Sequence, residues 1–327
     1  MKTILTGLKP TGDLTLGNYI GAIRPLIELQ NDNKIYLFVA DLHALTVPQD
    51  REELKERIRK FVAMYIACGI DPNKVIVYIQ SENAYIPAIS WLLECTTQFG
   101  EASRMIQFKE KSKQHKNFSV GLLTYPVLMA ADILYCDADV VPVGIDQKQH
   151  VEIARTIAQR FNNKYGETFT LPEALVYKQT TAKIKDLKDP TKKMSKTEEN
   201  PQGVISLFDD EESITKKIMK ATTDSDSLVK YDPDNKPGIS NLLAIASSLT
   251  NKEIKDIEEQ FKDKNYGEFK KFVAESVNNA LTPIKEKYNK LLNSDELNNI
   301  LDKGKDESIK LAKDKYLDML HKMGLER

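Results

Sequence analysis

Short runs of β-branched and aromatic residues recur through the first half of the chain. The runs at 3–6 (TILT), 35–40 (IYLFVA) and 75–80 (VIVYIQ) are almost continuously apolar, which is typical of strands buried on both faces. A fourth run, at 140–143 (VVPV), contains Pro142, and we expect it at a sheet edge or a strand end. The pattern predicts four strands of a largely buried sheet.

An amphipathic helix separates the second and third of these runs. Asp50 can cap its start, Glu53 follows three residues later, and Gly69 can end it. Its apolar side chains recur at helical spacing, at Leu54, Ile58, Phe61, Val62, Tyr65 and Ile66. Strands that alternate with helices of this length predict a parallel sheet with right-handed crossovers.

The pattern changes near residue 183. The segment 183–196 is rich in lysine, contains Pro190, and is interpreted as a basic loop. After Ser213 the helical stretches are separated by turn signals such as 231–235 and 264–267, with no convincing strand among them. The sequence therefore predicts an α/β domain followed by an all-helical domain.

The composition is that of a folded protein with almost no overall charge. Of the 327 residues 41% are hydrophobic, and 47 Lys and Arg stand against 48 Asp and Glu, for a net charge of -1. A sizeable core is possible, and any polyanion site must be a local patch. We expect no membrane span and no signal peptide, because the apolar stretches are short and interrupted by polar residues.

Cysteines and histidines are few. The cysteines are Cys68, Cys95 and Cys136, and the histidines are His43, His115, His150 and His321. The cysteines contain no C-x-x-C pair, which argues against a disulfide scaffold and for a reducing, cytoplasmic location. Neither residue type shows the spacing of a metal site, so we expect no zinc.

Four glycines, Gly7, Gly12, Gly17 and Gly21, surround the end of the first strand and the start of the following helix. In a parallel sheet this is where phosphate or a nucleotide binds. The chain has neither G-x-G spacing nor a G-x-x-x-x-G-K-[ST] segment, which excludes the dinucleotide fingerprint and the P-loop. A turn that only packs strand against helix is the alternative.

A second candidate for phosphate binding is the segment 192–197 (KKMSKT). Lysines close to a small hydroxyl residue can bind a polyphosphate and stabilise negative charge at a transferring phosphoryl group. A solvated lysine-rich loop has the same composition, so that this segment alone leaves both interpretations open.

Taken together, the two segments resemble the signature motifs of the class I aminoacyl-tRNA synthetases. Residues 10–12 (PTG) with 15–18 (TLGN) are similar to the family's HIGH element, and 193–197 (KMSKT) is similar to its second motif. Further blocks resemble the bacterial tryptophanyl-tRNA synthetases: 107–111 (QFKEK), 122–134 (LLTYPVLMAADIL), 141–150 (VPVGIDQKQH) and 236–242 (KPGISNL). The resemblance covers essentially the whole chain.

This resemblance implies an α/β fold in which a Rossmann-like, HUP-type nucleotide-binding domain with a parallel sheet precedes an all-helical domain. By the resemblance, residues 1–197 form the catalytic domain, 198–297 bind the anticodon arm, and 298–327 pack back on the catalytic domain. The implied partners are L-tryptophan, ATP and tRNA(Trp), and most family members are homodimers. Candidates for tRNA phosphate contacts are Lys285, Lys287 and Lys290.

The implied reaction joins tryptophan to AMP with release of pyrophosphate, and then transfers tryptophan to the 3′ end of the tRNA. The attacking carboxylate is already ionised at neutral pH, so catalysis should rest on positioning and charge stabilisation. The resemblance assigns catalytic roles to Lys111, Asp146, Lys193 and Lys196, with Mg²⁺ bound by the ATP phosphates rather than at a protein-only site. Further ATP contacts that it implies are Lys9, Pro10, Thr11, Gly17, Asn18, Gly144, Ile145, Ile184, Met194, Ser195 and Thr197.

Asp132 lies in an otherwise apolar helical stretch, 129–134 (MAADIL). A buried carboxylate needs a donor, and indole offers one N–H and no acceptor. An N-cap or an internal salt bridge is the alternative, but with the resemblance we expect Asp132 to accept a hydrogen bond from the indole nitrogen. The other implied tryptophan contacts are Tyr125 and Gln147 at the ammonium group, and His43, Met129, Val141, Val143 and Leu5 around the ring.

Three residues depart from the family pattern. Leu5 stands where an aromatic residue is common, Lys9 where a glutamine is common, and Thr197 where a serine is usual. None of these removes a charge or hydroxyl that the chemistry needs. Separately, Trp91 lies in an apolar helical run, 89–93, and we expect it in the core.

Two other functions stay open. A tyrosine-specific relative would have to recognise a phenol, which donates and accepts, whereas an ionised Asp132 only accepts. A catalytically silent relative, acting as a tryptophan sensor or an RNA-binding protein, would be expected to have lost a signature residue. Gly17, Lys193, Ser195 and Lys196 are all present, which favours an active enzyme.

Overall fold

The computed structural model describes residues 1–114, 118–176, 184–194 and 201–327, apart from the side chains of Lys111 and Gln114. The strands in these ranges are β1 (Thr3–Leu8), β2 (Lys34–Val39), β3 (Val75–Ile79), β4 (Val140–Val143) and β5 (Glu173–Val176). The α-helices are α1 (Leu16–Asn18), α2 (Arg24–Leu29), α3 (Asp41–Ala44), α4 (Arg51–Ala67), α5 (Tyr85–Glu94), α6 (Phe99–Ser103), α7 (Ile106–Gln114), α8 (Val120–Leu134), α9 (Lys148–Tyr165), α10 (Glu211–Met219), α11 (Pro237–Thr250), α12 (Ile254–Gln260), α13 (Tyr266–Leu292) and α14 (Glu296–Met323).

The strands form one parallel sheet in the order β3-β2-β1-β4-β5. The predicted α/β class and parallel sheet are confirmed, and the four predicted strands correspond to β1 to β4. The sequence analysis missed β5, because this four-residue strand begins with an exposed glutamate, Glu173, and its other residues are only half-buried. It therefore lacks the continuous apolar run of a central strand.

Pro142 lies at a strand end, the second of the two predicted alternatives, and not in an edge strand. β4 lies between β1 and β5, and it ends one residue after Pro142. β1 pairs with β4 only at Ile4 and Val140, whereas β5 pairs with the whole of β4. Beyond Val140, β4 thus has a strand on one side only, and the missing N–H of Pro142 interrupts no pairing with β1.

The order of the strands reverses at the middle of the sheet. From β1, the chain builds outward through β2 and β3 on one side, and β4 and β5 lie on the other side. In an open parallel sheet, ligands bind in the crevice at the carboxyl ends of the two strands where the order reverses. Here these ends are Leu8 of β1 and Val143 of β4.

The helical segment that follows β1 contains a π-helical turn, Tyr19–Ile23, between α1 and α2. Pro25 explains this turn, because it has no N–H to donate and its ring would clash with the Gly21 carbonyl in a regular α-helix. The widened turn lets the segment continue past the proline.

α4 begins and ends as predicted. The Asp50 carboxylate accepts the backbone N–H of Glu53 at 2.9 Å, and Gly69 has the positive φ, +121°, that glycine adopts readily after a helix. The C-terminal half of the helix, from Phe61 to Ala67, is buried. It packs between the sheet and α13.

Two hydrophobic clusters cover opposite faces of the sheet, as the alternation of side chains along a strand requires. One includes Ile4, Leu37 and Val77 and continues without interruption into the helices α10 to α13. The other includes Phe38 and Tyr78 and is covered by α5, α8, α9 and the end of α14. The sheet thus carries the helical part of the chain on one face and the helices around the cavity described below on the other.

Beyond Val176, the described residues form helices and isolated β-bridges but no strand, which confirms the predicted all-helical second part. Its last helix, α14, returns to the sheet and packs on β3 and α5. The domain boundaries at 197 and 297 stay predictions.

Trp91 is 64% exposed, so the prediction that it lies in the core is wrong. It belongs to three successive apolar residues of α5, of which Leu92 and Leu93 are buried. Successive residues in a helix point in directions about 100° apart, so a run of three cannot face one core.

No helix in the part of the chain that the structure describes has an apolar stretch long enough to cross a lipid bilayer.

Gly304 tests the packing of α14 on the sheet. A Cβ atom there would lie 1.8 Å from the carbonyl oxygen of Val77 in β3, so alanine would force the helix away from the strand. We expect Gly304→Ala to lower the free energy of unfolding by about 1–3 kcal/mol, as overpacking does. At Gly121 in α8 the nearest atom to an added Cβ is Ser119 Oγ at 3.5 Å, so Gly121→Ala should not destabilise the chain. Urea unfolding of both variants compares them, and an undiminished stability of Gly304→Ala would contradict this packing.

Candidate active site

A cavity of about 360 Å³ opens at the carboxyl ends of β1 and β4, where the strand order reverses. The predicted site residues that line it are Leu5, Lys9, His43, Tyr125, Met129, Asp132, Val141, Val143, Gly144 and Gln147. The lining also contains Gly7, Phe38, Ala40, Thr46, Gln107, Ile133 and Pro142, which the sequence analysis did not select. The residues predicted to contact tryptophan belong to separate parts of the chain, and the fold brings them together around one cavity.

Asp132 is fully buried near the C-terminal end of α8, which excludes a role as an N-cap. Its carboxylate has the donors that burial requires. Nε2 of Gln80 donates to Oδ1 and Oδ2 at 2.8 and 2.9 Å, and Nε2 of His43 lies 2.8 Å from Oδ2. Burial raises the pKa of Asp132 above that of an ordinary aspartate, whereas the hydrogen bonds from His43 and Gln80 favour the ionised form.

Gln80 is a site residue that the sequence analysis missed. It is fully buried and follows directly after β3, in the 3₁₀ turn Gln80–Glu82. The available signal was its position, because a polar residue at the end of an apolar strand lies at the ligand-binding edge of a parallel sheet.

Asp41 ties the His43 segment to the Gln80 turn. Its Oδ1 accepts the backbone N–H of Leu42 in α3 and the backbone N–H of Ser81, both at 3.0 Å. The ends of β2 and β3 therefore present His43 and Gln80 to Asp132 from one connected polar cluster.

The cavity wall formed by β1 and β2 depends on the absence of a side chain at Gly7. A Cβ atom there would lie 2.6 Å from the ring of Phe38, a distance no real contact shows. The Phe38 ring in turn stacks on Tyr78, with 5.7 Å between the ring centroids. Leu5, on the same strand as Gly7, completes this apolar wall and is itself buried.

The hydroxyl group of Tyr125 contacts a buried histidine outside the cavity lining. Its hydroxyl oxygen lies 2.8 Å from Nε2 of His150, a fully buried residue of α9, and burial raises the pKa of Tyr125 to about 12. The hydroxyl is therefore neutral at physiological pH and can accept hydrogen bonds. The sequence analysis quoted His150 in a family block and considered it only as a metal ligand, for which the histidines lack the spacing.

Gln147 and Asp146 lie together at the exposed side of the cavity, in the 3₁₀ turn Ile145–Gln147. The amide of Gln147 donates to Oδ2 of Asp146 at 3.0 Å, and that of Gln107 does so at 3.5 Å. A Cβ atom at Gly144 would lie 2.6 Å from Oδ1 of Asp146, so this turn also leaves no room for a side chain at Gly144. Ile145 is exposed beside them.

Thr15 and Asn18, the first and last residues of the segment 15–18 that resembles the HIGH element, form a capping box at the start of α1. The Thr15 hydroxyl oxygen accepts the N–H of Asn18 at 3.2 Å, and Oδ1 of Asn18 accepts the N–H of Thr15 at 3.0 Å and its hydroxyl at 3.1 Å. The side-chain oxygen of Asn18 is thus occupied within the helix, and its predicted contact to a ligand would use the Nδ2 group.

Gly17 brings the two signature motifs together. A Cβ atom at this position would lie 3.4 Å from Cβ of Met194 and 3.5 Å from its carbonyl oxygen. Leu14 and Leu16 also exchange backbone hydrogen bonds of 2.8 and 2.9 Å with the strand-like segment 205–207. The beginning of the chain therefore lies against Met194 of the lysine-rich region and against the later segment 205–207.

The described part of the lysine-rich region, 184–194, is a small hairpin with Lys185 opposite Lys193. Asn241 in α11 holds it by two hydrogen bonds, accepting the N–H of Lys185 at 2.8 Å and donating to its carbonyl at 3.0 Å. Asp186 is buried and caps the turn, accepting the N–H groups of Lys188 and Asp189 at 2.6 and 2.8 Å. The helical part of the chain thus holds the hairpin that contains Lys193.

The other residues predicted to contact ATP differ in burial, and some lie outside the described part of the chain. Pro10 is buried and Thr11 half-buried just beyond β1, and Lys193 is exposed. The side chains of Ile184 and Met194 are buried in the hydrophobic core, so they can approach a nucleotide mainly through their backbone. The side chain of Lys111 and the residues Ser195, Lys196 and Thr197 lie outside the described part of the chain. All of these contacts stay predictions.

In the described ranges, no group of three His, Cys, Asp or Glu residues is placed to hold a metal ion. The cavity lining instead combines apolar side chains with a buried carboxylate and with amide and hydroxyl groups. Such a site can orient a ligand with a flat apolar body, one N–H donor and a charged head group.

Comparison with known proteins agrees with this geometry. A sequence profile of the family described as tRNA synthetases class I (W and Y) matches residues 1–282. A tryptophan–tRNA ligase of Oceanobacillus iheyensis is 52% identical over 308 residues, which cover 94% of this chain and 94% of that protein. The resemblance found in the sequence is thereby confirmed.

Solved structures agree as well. Tryptophanyl-tRNA synthetase from Mycoplasma pneumoniae has a TM-score of 0.87 and 36% identity, covering 100% of this chain and 98% of that one. The Campylobacter jejuni enzyme, complexed with ADP and tryptophan, has a TM-score of 0.86 and 38% identity, covering 98% and 99%. The chain therefore belongs to the class I tRNA synthetases of the tryptophan and tyrosine group.

Proposed function

We propose that this chain is an ATP-dependent tryptophan–tRNA ligase. In the first step a carboxylate oxygen of tryptophan bonds to the α-phosphorus of ATP, and the bond to pyrophosphate breaks. In the second step a ribose hydroxyl at the 3′ end of tRNA(Trp) attacks the carbonyl carbon of the adenylate, and AMP leaves. The observation that carries the proposal is the buried Asp132 carboxylate at the cavity between β1 and β4.

Asp132 favours tryptophan over tyrosine. An ionised carboxylate accepts hydrogen bonds, and the indole N–H only donates, so the two are complementary. Tyr125 and Gln147, which also line the cavity, are proposed to bind the substrate ammonium through oxygen atoms. Met129, Val141 and Val143 then contact the ring faces. The names of the close relatives support the same substrate.

The nucleotide would bind from the β1 end toward the lysine-rich hairpin. Lys9, at the cavity, and Lys193, on the hairpin, are proposed to contact phosphates together with Lys111 and Lys196. Gly17 allows close approach of the nucleotide, because it has no side chain. The bound ADP of the Campylobacter jejuni relative supports a nucleotide site in this fold.

Mg²⁺ is proposed to bind with the ATP phosphates, where it would neutralise part of their charge. Asp146 is the residue we assign to the ion or to the ribose hydroxyls, because its carboxylate oxygens are hard ligands at the exposed side of the cavity.

The helical part is proposed to bind the anticodon arm of tRNA(Trp), within the proposed domain of residues 198–297. Of the three lysines considered for this role, Lys285 already donates to the carbonyl oxygen of Asp209 and is the least suited. We propose that two copies of the chain form a dimer, for which the exposed Trp91, Phe99 and Ile106 offer apolar surface. The free thiols Cys68, Cys95 and Cys136 fit the proposed cytoplasmic location.

Exchange of labelled pyrophosphate into ATP tests the proposed function. With Mg²⁺ present and each standard amino acid supplied separately, we expect exchange with tryptophan and at least 100-fold less with tyrosine, since a site built on a hydrogen bond rejects mismatched ligands strongly. Exchange with tyrosine alone would move the chain to the tyrosine-specific enzymes. A folded protein with no exchange would be a silent relative.

The affinity for tryptophan should depend on pH. Because burial raises the pKa of Asp132, its carboxylate takes up a proton at a higher pH than an ordinary aspartate does. The neutral acid is a weaker acceptor, so tryptophan binding should weaken as the pH falls, beginning above the pH at which an ordinary aspartate takes up a proton. Calorimetric titration at several pH values measures this. An affinity that stays constant over the range would show that Asp132 keeps its charge or does not contact the ligand.

Asn241 tests the attachment of the lysine-rich hairpin to α11. Asn241→Ala removes both hydrogen bonds to Lys185, so the lysines lose their orientation toward the phosphates. We expect the rate of pyrophosphate exchange to fall roughly 10-fold, as loss of a positioning contact does, with the KM for tryptophan unchanged. Asn278→Ala is the control, because Asn278 bonds only residues of α10, Glu211 and Thr215, among its described contacts. Equal rates in the two variants would refute this role of Asn241.

A further inference from the structure

We propose that Gln80 is a positioning residue that sets the preference for an indole N–H, because it holds the Asp132 carboxylate from behind the cavity. The proposal deepens the proposed function and rests on it. The family resemblance gave Gln80 no role, and the observations that follow are contacts of this structure.

Gln80 and His43 contact the carboxylate from different sides. His43 lines the cavity, so a ligand that approaches Asp132 must share Oδ2 with it or displace it. Gln80 is fully buried and does not belong to the cavity lining, yet its Nε2 lies within 2.9 Å of both carboxylate oxygens. Its two contacts can therefore persist when the cavity is filled.

Both contacts of the Gln80 side chain with Asp132 use the amide nitrogen, and the amide oxygen takes no part in them. Among the described residues, its Oε1 has no hydrogen-bond partner although it is buried. A buried acceptor without a partner is unfavourable for stability. An apolar side chain of the same length would avoid this loss, so the arrangement is better explained by what the N–H groups do for Asp132.

The backbone around Gln80 is held on both sides. Asp41 accepts the N–H of Ser81 at 3.0 Å, and Gln80 itself accepts the N–H of Asn83 at 3.1 Å. The side chain of Asn83, also fully buried, donates to Oγ of Ser308 in α14 at 3.3 Å. The amide therefore projects from a turn anchored to α3 and α14, which can fix the plane of the carboxylate.

A fixed and ionised carboxylate favours ligands that donate to it. Without Gln80, burial would protonate Asp132 more readily and leave its orientation to His43 alone. The preference for an N–H over an isosteric group that cannot donate should then decrease, while binding of the apolar ring and of ATP is retained.

The test compares two ligands in two variants. Tryptophan and β-(3-benzothienyl)alanine have nearly the same shape, but sulfur replaces the indole N–H in the second. In Gln80→Met the donor is lost at similar volume, and in Gln80→Glu a second carboxylate forces a proton onto the pair. Titration calorimetry should show the affinity ratio of tryptophan to the analogue falling at least 10-fold in both variants, with ATP affinity within about 3-fold of the wild type.

Gln30→Met is the matched control. Gln30 is a buried glutamine that bonds the carbonyl of Gly69 and the N–H of Asp71, outside the cavity, so its loss should leave the ratio unchanged. If Gln80→Met does not fold, the affinity ratio measured in Gln80→Glu, which keeps the shape of the side chain, tests the proposal. An unchanged affinity ratio in a folded Gln80 variant would overturn the role of Gln80 but not the proposed function. A wild-type protein that binds no tryptophan would overturn the proposed function as well.

Discussion

The structure around the cavity depends on supplying one carboxylate inside an apolar core with hydrogen-bond donors. Asp132 is fully buried and lies in the last turn of α8, where the helix dipole also disfavours a negative charge. The donors that compensate come from the ends of two other strands, through His43 after β2 and Gln80 after β3. The parallel sheet brings these strand ends to one edge, and that is why the fold can place three distant polar residues in contact.

A second constraint is the close approach of the two nucleotide motifs. The segment around Gly17 lies against the hairpin, since a Cβ added at Gly17 would be 3.4 Å from Cβ of Met194, and Asn241 holds the backbone of Lys185. The first contact links the hairpin to the segment that follows β1, and the second links it to the helical part. Since the lysines are proposed to act on negative charge rather than on a proton, their placement would be the main contribution that the chain can make to phosphoryl transfer. The continuous hydrophobic cluster between the sheet and α10 to α13 makes this placement a property of the whole molecule.

The sequence predicted most of the fold because its signals are strong there. The continuous apolar runs identified β1 to β4, and the cap at Asp50 with Gly69 identified α4. It missed β5, whose residues are half-buried, and it misplaced Trp91, because a run of apolar residues does not show which face of a helix is covered. The cavity residues came from the family motifs, and the cavity contains them. The family resemblance assigned no role to Gln80 or His150, which contact Asp132 and Tyr125 and do not line the cavity themselves. For Gln80 the available signal was its position at the end of an apolar run.

The central claim is that Asp132 accepts a hydrogen bond from the indole nitrogen. Proton NMR of tryptophan labelled with ¹⁵N in the indole ring, bound to the protein, tests it most directly. A charge-assisted hydrogen bond to a carboxylate shifts the indole N–H resonance downfield from its position in water. We predict such a shift in the wild type and its reduction in Asp132→Asn. A bound indole proton that resonates where free tryptophan does, or that is unaffected by Asp132→Asn, would contradict the account.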